Sequence, residues 1–432
     1  MKMKSYSLIL ITLIAFCTTH AVDYVDLESY RNSAYQQPQP GFLEKLFKPD
    51  WNSFKSSINE SIFADNITSE QFWNTLRSSL EDGSFYNRVS QYKTSDKQSG
   101  GDIFLRTVYS SINQIPVKYK SVLPNGDSLL LSGKIFLPKN ENAKHIIIAN
   151  HYTICSNNEA PSNASCIEGI FAAKDYIVLM PDYIGYGISD TLTHPYLHLE
   201  STVNSALDLL RAVIPYLKAN SYSYYPSIIL IGYSQGAAAT LALQKKIEEQ
   251  FSHIHSIHKV YVGAGPYDLK GTFDYYISQH TTDIPCSLPM LISGINYGER
   301  LNLKQEDFFQ PTLLEKYPTL IGSKAKSMNE VNAELGNNID LLLKPIIYHP
   351  DSFPTSILYD AVQKNSIVHW TPKAKLFLFH STEDNMVPFL NSEHLQKEFE
   401  KQHLDNVQYD FAPYGNHMRA AVYFFEKVYK SL

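Results

Sequence analysis

The pentapeptide Gly232-Tyr233-Ser234-Gln235-Gly236 constrains this chain more than any other segment, because an unbroken apolar run, 228–231, precedes it and a helix-forming run, 237–249, follows. A strand that turns this sharply into a helix holds the central serine in a strained conformation. A side chain two residues to either side would crowd the turn, which is why glycine stands at both places. Such a turn presents Ser234 at the top of a sheet, beside helix amides that favour developing negative charge. The bare Gly-x-Ser-x-Gly pattern is common by chance, and its strand and helix flanks give this one its weight.

The rest of the chain supplies such a sheet. Apolar runs at 145–149, 176–180, 227–231, 259–262 and 376–379 show no alternation, as strands buried on both faces require. Between two of them, Val203, Leu207, Leu210, Ile214 and Leu217 form one stripe, which predicts a helix over 199–217 that Pro215 should kink or end. A hairpin, 116–123 and 129–137 around Pro124-Asn125-Gly126-Asp127, opens the series. Strands alternating with helices predict an α/β protein, a mainly parallel sheet with helices on both faces. Ligands then bind beyond the carboxyl ends of the strands.

Four segments follow from this pattern. Residues 1–21 are expected to be a signal peptide: Lys2 and Lys4 make a positive start, an apolar run spans 8–17, and Thr19-His20-Ala21 offers a small-residue cleavage site. The run is about ten residues, against the roughly 20 of a spanning helix, so a secreted or periplasmic protein is expected rather than an anchored one. Residues 22–105, with Phe54, Ile58, Ile62, Phe72, Leu76 and Leu80 at helical intervals, read as an N-terminal helical extension. The core is 106–266 and 371–432. Over 267–370 the alternation lapses between two core strands, which predicts an inserted cap, with apolar surface from Leu288-Pro289-Met290-Leu291-Ile292 and Leu341-Leu342-Leu343.

Charge and cysteine content narrow the function. With 37 basic and 43 acidic residues, a net charge of −6 and no long basic run, nucleic acid is excluded as a partner. Once Cys17 leaves with the leader, Cys155, Cys166 and Cys286 remain, so at most one internal bridge can form. Pairing Cys155 with Cys166 would staple the short polar segment between them. His253, His255 and His258 lack a partnered carboxylate and read as a solvated loop, so no metal is assigned.

Two further groups fall in the chain order that a serine nucleophile on this kind of turn demands, serine then acid then histidine. Asp384 follows the strand 376–379, and His417 sits in the loop Pro413-Tyr414-Gly415-Asn416-His417 before the terminal helix. Asp384 would orient the imidazole and stabilise the imidazolium formed when Ser234 gives up its proton. The competing view makes Asp384 a helix cap and His417 an ordinary polar loop residue.

Gly232 to Gly236, the Asp384 loop and His417 resemble the α/β-hydrolase superfamily from about residue 116 to the C-terminus. Within it, Met180-Pro181-Asp182-Tyr183-Ile184-Gly185-Tyr186-Gly187 followed by His194-Pro195-Tyr196-Leu197 is similar to the secretory lipase family that includes lipase A-type enzymes of yeasts. The resemblance implies an exported serine esterase or lipase with a cap after the sixth core strand, needing no cofactor. It also implies an ester or lipid substrate and transient contact with lipid surfaces. Relatives commonly carry His-Gly after the strand 145–149; here the segment is His151-Tyr152-Thr153. An oxyanion hole would then combine the Gln235 amide with that of Tyr152 or Thr153. The same triad also serves serine exopeptidases and acyltransferases, and a binding protein can keep the fold without the chemistry.

Overall fold

The computed structural model describes residues 22–31, Trp73, 111–164 and 166–432. The leader 1–21 and most of the extension 22–105 lie outside the described residues.

The strands are β1 (Val25–Asp26), β2 (Ile112–Val122), β3 (Ser128–Pro138), β4 (Asn142–Asn150), β5 (Ile177–Pro181), β6 (Ser223–Tyr233), β7 (Ser256–Gly263), β8 (Lys375–Ser381) and β9 (Val407–Ala412). They form one sheet in the order β1-β2-β3-β5-β4-β6-β7-β8-β9. β3 runs antiparallel to β2 and β5, whereas every pair from β5 through β9 is parallel. At the edge, β1 pairs parallel with β2, so part of the expected helical extension is strand.

The continuous apolar runs divide by pleat. Ile146 and Ile148 of β4, with Ile228 and Leu230 of β6, enter one cluster with the helices Leu199–Ala219, Gln235–Lys246 and Leu390–Lys401. Their neighbours Ile147, Ala149, Ile229 and Ile231 enter another with the 3-10 helix Ile167–Lys174 and the helix His417–Ser431. Both faces of the sheet are thereby covered. Trp73 is buried in the second cluster. Leu199–Ala219 continues through Pro215 rather than ending there, because the next residues, Tyr216 and Leu217, are buried at 1% and 0% exposure.

Between β7 and β8, the sixth and seventh strands counted from β2, the chain is helical and builds a third apolar cluster of its own. Cys155, Tyr196 and Leu197 join that cluster from outside the segment. Among the described residues, no helix is long and apolar enough to cross a membrane.

Candidate active site

β6 ends at Tyr233 and the helix Gln235–Lys246 begins two residues later, so Ser234 makes the whole turn, at φ 57° and ψ −126°. A non-glycine residue at positive φ costs about 1–3 kcal/mol and persists only where its surroundings impose it. Here they do. A Cβ on Gly236 would lie 2.0 Å from the Asn150 carbonyl oxygen, and one on Gly232 would lie 2.1 Å from that of Gly236. The Ser234 amide donates to the Gly263 carbonyl oxygen at 2.9 Å, tying the turn to β7. Gln235 stands at the first helical position, where a backbone N–H has no intrahelical acceptor.

Asp384 follows β8 and has no exposed side-chain surface. Its Oδ1 accepts from the amides of Met386 (2.9 Å) and Val387 (2.8 Å). Its Oδ2 lies 2.6 Å from His417 Nδ1 and 3.4 Å from His380 Nε2. Burial alone would raise this carboxyl, but the His417 and His380 imidazoles outweigh it and hold it well below the usual carboxylate range. His417 is the first residue of the helix His417–Ser431 rather than the end of the loop, and Asn416 caps that helix from the Arg419 amide. The imidazole lies 5.0 Å from the ring of Tyr233, ring centre to ring centre, and the Tyr233 hydroxyl donates to the His417 carbonyl oxygen at 2.7 Å. The elbow and the histidine helix are joined at the residue beside Ser234.

Ser234, Gln235 and Thr153 line one pocket whose wall is otherwise mostly apolar, with Leu269, Phe273 and Leu291 from the insertion. Thr153 is buried, and its hydroxyl is 2.8 Å from that of Tyr196. Tyr152 is 41% exposed, and its carbonyl oxygen accepts from His151 Nδ1 at 2.6 Å. Leu291 therefore reaches the pocket as expected of its segment. Leu342 and Leu343 pack inside the insertion's own cluster instead, and Leu341 is 65% exposed.

The Asp182 to Gly187 and His194 to Leu197 motifs form the support beneath this pocket. Gly187 has φ 60°, and a Cβ there would meet Ser132 Oγ at 1.9 Å and Asp182 Oδ2 at 2.1 Å. His194 donates from Nδ1 to the Ile184 carbonyl oxygen at 2.8 Å, so its Nε2 accepts from the Gln235 side-chain amide at 3.2 Å. Burial pushes His194 down to about 3, which keeps it neutral. Neither His194 nor His380 was expected to have a role at the site. Cys155 and Cys166, whose pairing the sequence left open, are not joined by a disulfide, and Cys166 Sγ faces the Ala164 carbonyl oxygen at 3.8 Å.

No protein-family model matches the sequence, and no curated protein matches it. Solved structures do match. The rice cell wall degrading esterase LipA from Xanthomonas oryzae superposes with a TM-score of 0.65 at 20% identity, over 76% of this chain and 92% of that one. A candidate hydrolase from Legionella pneumophila gives 0.67 at 20% identity, over 81% and 92%. Candida antarctica lipase A gives 0.55 at 16% identity, over 72% and 74%. Strand order, elbow position and these superpositions agree, and the chain has the α/β-hydrolase fold.

Proposed function

We propose that the protein is an exported serine hydrolase of carboxylic esters, with Ser234 as nucleophile, His417 as general base and Asp384 as the residue that orients it. The observation that carries this reading is the 2.6 Å hydrogen bond between His417 Nδ1 and the buried Asp384 carboxylate, with the His417 ring against Tyr233, the residue before a serine held at positive φ. With Nδ1–H given to Asp384, Nε2 is left as the proton acceptor. Ser234 Oγ attacks the ester carbonyl while His417 takes its proton, and the imidazolium returns that proton to the leaving alcohol. Water activated by His417 then releases the acid from the acyl-enzyme.

The oxyanion forms at the helix N-terminus, where the Gln235 amide points at developing charge. Its partner is an amide of the segment Tyr152–Thr153, and Thr153, which shares the pocket with Ser234, is the better placed. The insertion caps the pocket, and its leucines favour acyl groups. Two of the structures that share this fold, an esterase and a lipase, support the same class.

A fluorophosphonate probe should label Ser234, and Ser234→Ala should abolish both labelling and hydrolysis of p-nitrophenyl esters. Labelling that survives the substitution removes Ser234 from the role. Cleavage of aminoacyl naphthylamides in preference to esters would make the protein an exopeptidase.

A further inference from the structure

Cys155 lies two residues beyond Thr153 in the loop that follows β4, and Cys286 is the cap of the helix Ser287–Gly298 that carries Leu288 and Leu291. The first is 2% exposed and the second 0%. The Cys286 thiol lies near enough to act on the Cys155 thiol. Cys155 Sγ also lies 3.6 Å from the Sδ of Met290, one turn along that helix, and the Met290 amide donates to the Cys286 carbonyl oxygen at 3.2 Å. Both cysteines belong to the apolar cluster of the insertion, which Cys155 enters from the core side. Two sulfurs from segments remote in sequence thus meet at the seam between the pocket loop and the insertion.

We infer that Cys155 and Cys286 become a disulfide, a covalent staple between the loop carrying Thr153 and the helix carrying Leu291. This goes beyond the ester-hydrolase chemistry and rests only on the export within the proposed function, since a disulfide persists in an oxidising compartment. One cysteine, as thiolate, attacks a sulfur of an incoming disulfide, of the glutathione-disulfide class or the active-site disulfide of a thiol oxidoreductase. The oxidant's S–S bond breaks and one of its halves leaves as a thiol. The second cysteine, deprotonated in turn, attacks the mixed disulfide, so the protein's S–S bond forms and the oxidant's other half leaves as a second thiol. The facing Cys286 sulfur and burial push the folded Cys155 thiol well up, so the folded dithiol supplies little thiolate. The exchange therefore belongs to folding, before the insertion closes over the two sulfurs.

Full-length protein exported through an oxidising compartment, denatured in iodoacetamide without reductant and digested, should yield the Cys155 and Cys286 peptides linked, with Cys166 singly alkylated. Alkylation of Cys155 and Cys286, or a Cys155–Cys166 link, would overturn the inference; so would failure to link after refolding in a glutathione redox buffer. A thermal readout separates a staple from mere packing. Reductant should lower the wild-type unfolding midpoint by several degrees, leave Cys286→Ser unmoved and act on Cys166→Ser as on the wild type. Equal response of Cys286→Ser to reductant contradicts the staple.

Discussion

Asp384 accepts two backbone amides on one oxygen and faces His417 and His380 with the other, whereas the adjacent Glu383 is exposed and, among the described residues, accepts only the Gly415 amide, at 3.0 Å. Only the first can hold the imidazole in one tautomer. Asp384→Asn should therefore lower kcat for ester hydrolysis by roughly 10³–10⁴, because the amide cannot stabilise the imidazolium. Glu383→Gln should stay within a few fold of wild type. Steady-state kinetics on a p-nitrophenyl ester read both, and a reversal would move the acid by one residue. Ser234 and Asp384 were legible as candidates in the sequence because each lies just beyond an apolar run that ends a strand, and His417 because it closes the loop before the terminal helix. His380 and His194 were not, since their work depends on partners remote in sequence or on burial: Ser392 and Val387 around His380, Ile184 and Gln235 around His194.

At the scale of elements, the turn around Ser234 leaves no room on the Gly236 side. Gly236→Ala would drive a methyl into the Asn150 carbonyl oxygen 2.0 Å away, backbone that cannot swing aside. Overpacking of this kind costs typically about 1–3 kcal/mol, and the shift falls on the serine and on the loop beside it. The expected result is a lower denaturation midpoint together with loss of fluorophosphonate labelling, and a variant that labels at the wild-type rate contradicts it. The insertion offers a second test. Leu291 lines the pocket and Leu342 is buried within the insertion cluster. Leu291→Ala should lower kcat/KM for long-chain esters more than for acetates, since each buried methylene is worth about 0.8 kcal/mol. Leu342→Ala should change stability and leave the long-to-short ratio alone; an unchanged ratio in folded Leu291→Ala would make that wall structural. From sequence, the apolar runs of the two segments look alike. What distinguishes them is the packing of the insertion, which periodicity does not carry. Pro215 does not end its helix for a related reason: the burial of Tyr216 and Leu217 outweighs the helix hydrogen bond that proline forfeits.

For the molecule as a whole, the sheet, the supporting motif and the elbow meet at His194, whose neutral form is built into the fold. Nδ1–H is used by the Ile184 carbonyl oxygen and Nε2 accepts from Gln235, so protonation would set Nε2–H against an amide N–H in a buried site. The folded value of about 3 lies below the ordinary 6.5. Between those two values the unfolded chain binds a proton that the folded one refuses. The contribution of His194 is therefore complete above about pH 6.5 and is lost progressively as pH falls toward 3, at about 1.4 kcal/mol per pH unit. Other buried groups bend the total in both directions: burial lowers His151 to about 4 and raises Glu168 to about 7. The difference between two proteins isolates one residue. His194→Asn keeps a side-chain N–H for Ile184 but does not titrate, so it should be less stable than wild type near neutrality and lose less on acidification. Urea unfolding at several pH values between about 7 and 4 should show the two stabilities converging by about 1.4 kcal/mol for each unit below 6.5. Parallel curves would mean that His194 takes its proton in the folded protein, and the orientation of the Gln235 amide beside Ser234 would then have to be reversed.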